Sequence, residues 1–196
     1  MRISKLIAGA GLLFLFACTH QMNVNPHYVA SNPDQFTASK LKDRKVALLI
    51  APDLQNYLLV KRVSSQIGGL IIKDKLVFFL GNAVSAEIEN MTRAICDDVK
   101  VTSGFSETIN KGMVRIVPGI VGSSLDLPVK RGGKTAAWVT VEYRFYDADG
   151  VLIMKKSVTG AWSDRILLTR ENYTMAFQGA IKDLTVKSKR LFENTL

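Results

Sequence analysis

Apolar and polar residues alternate most regularly in the stretch WVTVEYRFY, residues 138–146. Because successive side chains of a strand point to opposite faces, this pattern predicts a half-buried antiparallel strand. The following DADG supplies a turn in which Gly150 can adopt a positive φ, and VLIMKKSVTGAW then returns as the second strand of a hairpin. The apolar face of this hairpin is predicted to consist of Val139, Val141, Tyr143, Phe145, Leu152, Met154, Val158 and Trp162.

Five other stretches are rich in apolar residues and predict further strands. The run VALLIAP, which Pro52 ends, is typical of a buried strand. YLLVKRV, DVKVTS and GMVRIVPG have the length and composition of strands. The stretch LIIKDKLVFFLG contains two apolar runs, and we interpret it as a hairpin that turns at Lys73, Asp74 and Lys75.

Two stretches have helical periodicity. In GNAVSAEIENMTRAIC the apolar residues recur at spacings of four, three and four, and Asn82 is a plausible N-cap. The last stretch, 169–193, predicts a long helix with Thr169 as its cap. The buried faces are predicted to carry Val84, Ile88, Met91 and Ile95 in the first helix, and Tyr173, Phe177, Ile181, Leu184, Ser188 and Leu191 in the second.

The order of these elements predicts an α+β domain over residues 45–196. It should consist of a largely antiparallel sheet with two helices packed on one face. Residues 18–44 are mostly polar, contain Pro26 and Pro33 and show no apolar period, so we expect a flexible tether before the domain.

The first seventeen residues have the features of a signal peptide. Arg2 and Lys5 precede an uncharged apolar run over residues 6–16, which is too short to span a bilayer. The run Leu15-Phe16-Ala17-Cys18 resembles the lipobox of bacterial lipoproteins. This resemblance implies cleavage before Cys18, which would carry a diacylglycerol and an N-acyl chain. The alternative is an ordinary signal peptide with a cysteine near its end.

The residue after the lipobox cysteine bears on localisation. In lipoproteins of bacteria with two membranes, an aspartate there favours the inner membrane, whereas this chain has Thr19. The resemblance therefore implies an outer-membrane lipoprotein whose domain lies in the periplasm or at the cell surface.

The 196-residue chain has a formal net charge of +9. Nucleic acid is not an expected partner of an exported, lipid-anchored protein. A basic surface in the envelope would instead meet anionic lipid or acidic glycan. A generally basic domain without a specific ligand is the alternative.

The residue pattern does not predict an enzyme, a cofactor or a metal site. Both histidines, His20 and His27, lie in the predicted tether, which cannot hold a catalytic base in place. Gly133-Lys134-Thr135 matches the end of a P-loop, but a strand is predicted to follow it where a helix is required. We interpret the acids Glu87, Glu89, Asp97 and Asp98 as a solvated helix face.

Two further features bear on possible contacts. Cys96 is expected to be a buried apolar residue, with pairing between chains as the alternative. The stretch GIVGSSLDLP places aliphatic residues among glycines and serines, which is typical of a loop. We interpret Ile120, Val121, Leu125 and Leu127 as possible contacts for a protein partner, with core residues as the alternative.

Taken together, the lipobox, an early LIAP strand, a helix after a glycine, a hairpin and a terminal helix resemble small bacterial lipoproteins of the YajG-like kind. The similarity covers residues 45–192 and implies no enzymatic residue. The expected function is a non-enzymatic outer-membrane lipoprotein that supports envelope or surface-organelle assembly through protein contacts. The alternative function is the binding of an anionic lipid or glycan.

Overall fold

The structure is a computed structural model, and it describes residues 19–25, 28–37, 41, 43–67, 70–107, 109–128, 133–165 and 170–196. The predicted signal segment, the lipobox cysteine Cys18, His27 and the predicted cap Thr169 lie outside these residues. The elements in chain order are β1 Thr19–Asn23, α1 Tyr28–Ser31, α2 Asp34–Thr37, β2 Lys45–Leu49, α3 Pro52–Gln55, β3 Leu58–Ile67, β4 Leu70–Phe79, α4 Leu80–Ile95, β5 Asp98–Thr102, β6 Val114–Asp126, β7 Thr135–Tyr146, β8 Leu152–Asp164 and α5 Arg170–Thr195.

The α+β fold predicted from the sequence is confirmed, with two sheets in place of one. A five-stranded sheet has the order β5-β2-β6-β7-β8, and a three-stranded sheet has the order β1-β4-β3. Strands β6, β7 and β8 are antiparallel, whereas β2 is parallel to both β5 and β6. The parallel pairs arise because α4 and two strands connect β2 to β5, and a parallel pair needs such a crossover.

The core lies between the large sheet and the two long helices, as the periodicity predicts. The inward residues of β7 are buried, and the Tyr143 ring packs edge-on against Phe192 at 5.2 Å between centroids. The Tyr143 hydroxyl donates to Ser188 Oγ at 2.7 Å. Phe192 is fully buried while the predicted Leu191 is only partly so. Leu152 is exposed because the register shifts between Phe145 and Tyr146.

The predicted hairpin at Lys73-Asp74-Lys75 is wrong. Residues Leu70–Phe79 form one continuous strand, β4, which pairs with β3 along its whole length. The pairing of the two strands extends as far as Ile67 opposite Leu70. The charged residues are tolerated in mid-strand because Lys75 is exposed and Asp74 lies beside His20. The sequence signal that one strand ends and the next begins was the pair Gly68-Gly69, which separates the two apolar stretches.

The described part of the predicted tether differs from a free coil. Strand β1 pairs in parallel with β4, from Thr19 opposite Lys75 to Asn23 opposite Phe79. Met22, Val29 and Phe36 are buried in the core. The physical reason is that a few well-spaced apolar residues bury enough surface to order an otherwise polar segment. The packed domain therefore includes residues before Lys45.

Helix α4 forms as predicted and buries the expected face, but its start differs. Its N-cap is Phe79 rather than Asn82, with no side-chain cap. Gly81 packs directly against the carbonyl groups of Leu54 and Gln55, where a Cβ would lie 2.1 Å from the Leu54 oxygen. Close packing against α3 therefore fixes this helix end in place of a side-chain cap.

Candidate contact groove

The residues predicted to form an exposed contact loop belong to a strand. Ile120, Val121 and Leu125 lie in β6, which pairs with β7 through Asp126, and Leu127 follows it. The loop prediction is wrong because strand pairing accommodates the glycines and serines. Gly122 in particular lies under the Trp138 ring, where a Cβ would be 3.0 Å from a ring carbon.

These four residues have different environments. Leu125 is 0% exposed and belongs to the core, while Ile120 and Leu127 are partly buried against it. Val121 is 56% exposed at the bulge between Ile120 and Gly122. Because a bulge leaves its extra residue outside the ladder, Val121 is the member of the set best placed to contact a partner.

A groove lies beside this bulge, where β2 ends. Strand β2 pairs with β6 only from Val114 to Ile116, and α3 then lies next to the strand that continues. The groove has a volume of about 220 Å³. Its lining combines α3, the bulged part of β6 and two charged residues of β7: Ala51, Asp53, Leu54, Val117, Pro118, Gly119, Ile120, Val121, Glu142 and Arg144.

Gly119 leaves the groove open. A Cβ built on this residue would meet no atom within 4 Å. A glycine inside a strand often marks a place where another backbone or a ligand approaches closely. The sequence pattern predicted a loop around this glycine and therefore did not predict the groove, although the glycine itself was the available signal.

A compact ion cluster borders the groove on β7. Glu142 is 8% exposed and accepts from Arg144 Nε at 2.9 Å, while Lys155 Nζ lies 2.8 Å from its other oxygen. The hydrogen bond from Lys155, followed by that from Arg144, holds the pKa of Glu142 below its ordinary value. The carboxylate is therefore charged at neutral pH, and Arg144 remains half exposed beside the groove.

The sequence predicted that the acids of α4 form one solvated face, and the structure shows that they do not. Glu87 is 1% exposed, and its two oxygens accept from the backbone N–H groups of Tyr28 at 2.7 Å and Val29 at 3.1 Å. Glu89 instead pairs with Arg93 at the surface. Glu87 thus fastens the start of α1 to the domain, because a carboxylate satisfies N–H groups that have no partner within a helix.

Cys96 is buried, as expected for a small apolar residue. Burial, with a smaller contribution from the charge of Asp97, raises the pKa of the Cys96 thiol to about 11. The thiol is therefore protonated at neutral pH. His20 lies in β1 with its Nε2 3.8 Å from Asp74 Oδ1.

Within the part of the chain that the structure describes, no group of three or more histidine, cysteine and acidic residues could hold a metal ion. Among the same residues, no helix has the length and apolar character needed to cross a membrane.

Comparisons with known proteins show the fold but no family. No family model matches the chain. A catabolic NAD-specific glutamate dehydrogenase of Bacillus subtilis is 30% identical over 99 residues, which cover 47% of this chain and 23% of the enzyme. The chain thus spans less than a quarter of that relative.

Among solved structures, a Xanthomonas campestris protein described by the family model DUF330 covers 91% of this chain and 97% of its own, with a TM-score of 0.54 and 10% identity. A minor lipoprotein of Acinetobacter baumannii covers 79% of this chain and 93% of its own, with a TM-score of 0.42 and 13% identity. The Xanthomonas protein and this chain share the same overall fold.

Proposed function

We propose that the protein is a non-enzymatic lipoprotein of the outer membrane that supports envelope assembly through protein contacts. Its anchor is the acyl chains on Cys18. A single acyl chain binds a membrane only marginally. The diacylglycerol and the N-acyl chain implied by the lipobox together make the anchor stable.

The placement of β1 supports the anchor. The first described residue after Cys18, Thr19, already pairs with Lys75 in the small sheet. A cleaved and acylated Cys18 would therefore lie directly at the edge of the folded domain. The domain is then held close to the membrane surface rather than at the end of a long coil.

The groove beside Val121 is the proposed contact surface, and it is the observation that carries the assembly role. It combines an exposed aliphatic side chain, an open glycine floor and the half-exposed Arg144. Along this part of β6, α3 rather than strand β2 lies beside the strand, and the groove between them is where an extended segment of a partner would approach. Arginine is enriched at protein interfaces, and the buried core of an interface is more apolar than the rest of the surface.

Crosslinking in living cells tests this role directly. A photoreactive amino acid at position 121 should crosslink to one envelope protein. Gly119→Leu should abolish the crosslink, because a Cβ at this position meets no atom within 4 Å and the rest of the new side chain would occupy the groove. Ala161→Leu is the matched control, since it adds the same side chain at an exposed position on β8.

Gly119→Leu and its control Ala161→Leu distinguish binding in the groove from contact elsewhere. Loss of the crosslink in Gly119→Leu and its retention in Ala161→Leu, both with unchanged melting temperatures, would support the groove. Equal crosslinking in both variants would contradict it.

One other cavity favours the alternative function, the binding of an anionic ligand. Its volume is about 300 Å³, and Arg44, Lys45 and Lys111 line it together with Asp43 and Leu196. Titration with phosphatidylglycerol micelles should then shift amide resonances of Gly112 and Val114 in the wild type but not in Lys111→Gln. Shifts of equal size in both proteins would exclude this site.

A further inference from the structure

Two cations lie next to each other on the outer face of the small sheet. Lys75 of β4 is directly opposite Arg62 of β3, and Thr19 of β1 is opposite Lys75 on the other side. All three residues are exposed. The neighbouring residues Leu76 and Phe78 are buried, so the face that carries these three residues is the one turned away from the core.

Among the described residues of the small sheet, this cation pair has no acidic neighbour on its own face. Like charges directly opposite in a sheet destabilise it. The register places Leu58, Val60, Ser64, Gln21, Asn23, Val77 and Phe79 on the same face, and none of these described residues is acidic. Because successive side chains of a strand point to opposite faces, Asp74 lies on the other face of the sheet, beside His20. The pair is therefore arranged to receive an anion from outside the chain.

The position of the pair relative to Cys18 indicates the source of that anion. Consecutive Cα atoms are about 3.8 Å apart, so Cys18 lies one such step from Thr19. Adjacent strands are about 4.8 Å apart, which places Lys75 about 5 Å and Arg62 about 10 Å from Thr19 across the sheet. Acyl chains on Cys18 would bring both cations to the depth of the lipid headgroups.

We propose that Lys75 and Arg62 bind the phosphate of an anionic phospholipid in the leaflet that holds the acyl chains of Cys18. The contact fixes the orientation of the domain, with the outer face of the small sheet turned to the membrane. This inference rests on the proposed lipid anchor. Each basic residue near an anionic surface strengthens binding about fivefold, so the pair should favour this orientation about 25-fold.

The test uses the acylated protein in vesicles. Cys96→Ala and Ser64→Cys leave one thiol for an NBD fluorophore, at an exposed residue on the same face as Arg62. The vesicles contain phosphatidylcholine with 30% phosphatidylglycerol and a headgroup-spin-labelled phosphatidylcholine as quencher. Flotation and intact mass of the same sample establish that the protein is anchored.

We expect strong quenching that falls on removal of phosphatidylglycerol and in Arg62→Gln/Lys75→Gln. The control Lys156→Gln/Arg190→Gln, which changes two exposed cations on other elements, should remain quenched. Anchored protein without quenching, or an equal loss in both double variants, would overturn this proposal alone. Protein without acyl mass that fails to float would overturn the anchor and this proposal together.

Discussion

The carboxylate of Glu87, in the middle of α4, accepts a hydrogen bond from the backbone N–H of Tyr28 at 2.7 Å. This bond joins residues 59 positions apart and fastens the segment after Cys18 to the domain. The neighbouring contact of Lys189 Nζ with the Gln35 carbonyl at 2.6 Å does the same for α2. Together they make the N-terminal segment part of the folded structure.

Glu87→Ala should lower the free energy of unfolding by about 1–3 kcal/mol, because it leaves the N–H groups of Tyr28 and Val29 without their acceptor. Urea titration measures the change. Glu89→Ala, two residues further along α4 in a surface ion pair, should change it by less than about 0.5 kcal/mol. Equal losses in the two variants would mean that the carboxylate of Glu87 has no special role.

Phe177→Ala should lower the free energy of unfolding by about 3–5 kcal/mol. The ring is fully buried and lies 4.8 Å from the Phe78 ring of the small sheet, so it joins α5 to that sheet. The exposed Arg190 of the same helix provides the control, and Arg190→Ala should have an effect of about 0.5 kcal/mol or less. A small loss in Phe177→Ala would show that this helix face is assigned incorrectly.

Substitutions of Leu125 and Val121 in β6 should lower the free energy of unfolding by clearly different amounts, which thermal unfolding measures. Leu125→Ala should cost about 2–5 kcal/mol because the side chain is in the core. Val121→Ser should cost less than about 1 kcal/mol, since the side chain is exposed and only strand propensity changes. The reverse order would contradict the register of β6 on β7.

Because the pKa of the Cys96 thiol is raised in the folded protein, the free energy of unfolding should fall at alkaline pH. Below pH 9 its thiol is protonated in both states. As the pH rises from 9.0 toward the folded pKa of about 11, the unfolded chain releases the proton first, so folding becomes less favourable. The free energy of unfolding of wild type minus that of Cys96→Ala should therefore fall between pH 9 and 11. A constant difference would show that the folded thiol is not protected.

The elements of this fold follow from periodicity, but their partners do not. Alternation identified the β7–β8 hairpin, and the spacing of Val84, Ile88, Met91 and Ile95 identified α4. The same rules interpreted Lys73-Asp74-Lys75 as a turn, because a local pattern cannot show that a neighbouring strand keeps the segment extended. They also missed β1, whose pairing with β4 joins residues more than fifty positions apart.

At the candidate site, too, the local sequence pattern does not show which neighbours surround a residue. Val121 was selected for its aliphatic side chain, and it is exposed. Its neighbour Leu125 was selected for the same reason and is buried. The difference depends on a bulge and on the end of β2, which are properties of the assembled sheet.

The most direct test of the proposed lipid anchor is the intact mass of the protein purified from cell envelopes in detergent. Lipidation at Cys18 predicts a chain that starts at Cys18, without residues 1–17, and that carries the added mass of a diacylglycerol and an N-acyl chain. A chain that still starts at Met1, or one that starts at Cys18 without acyl mass, would contradict it.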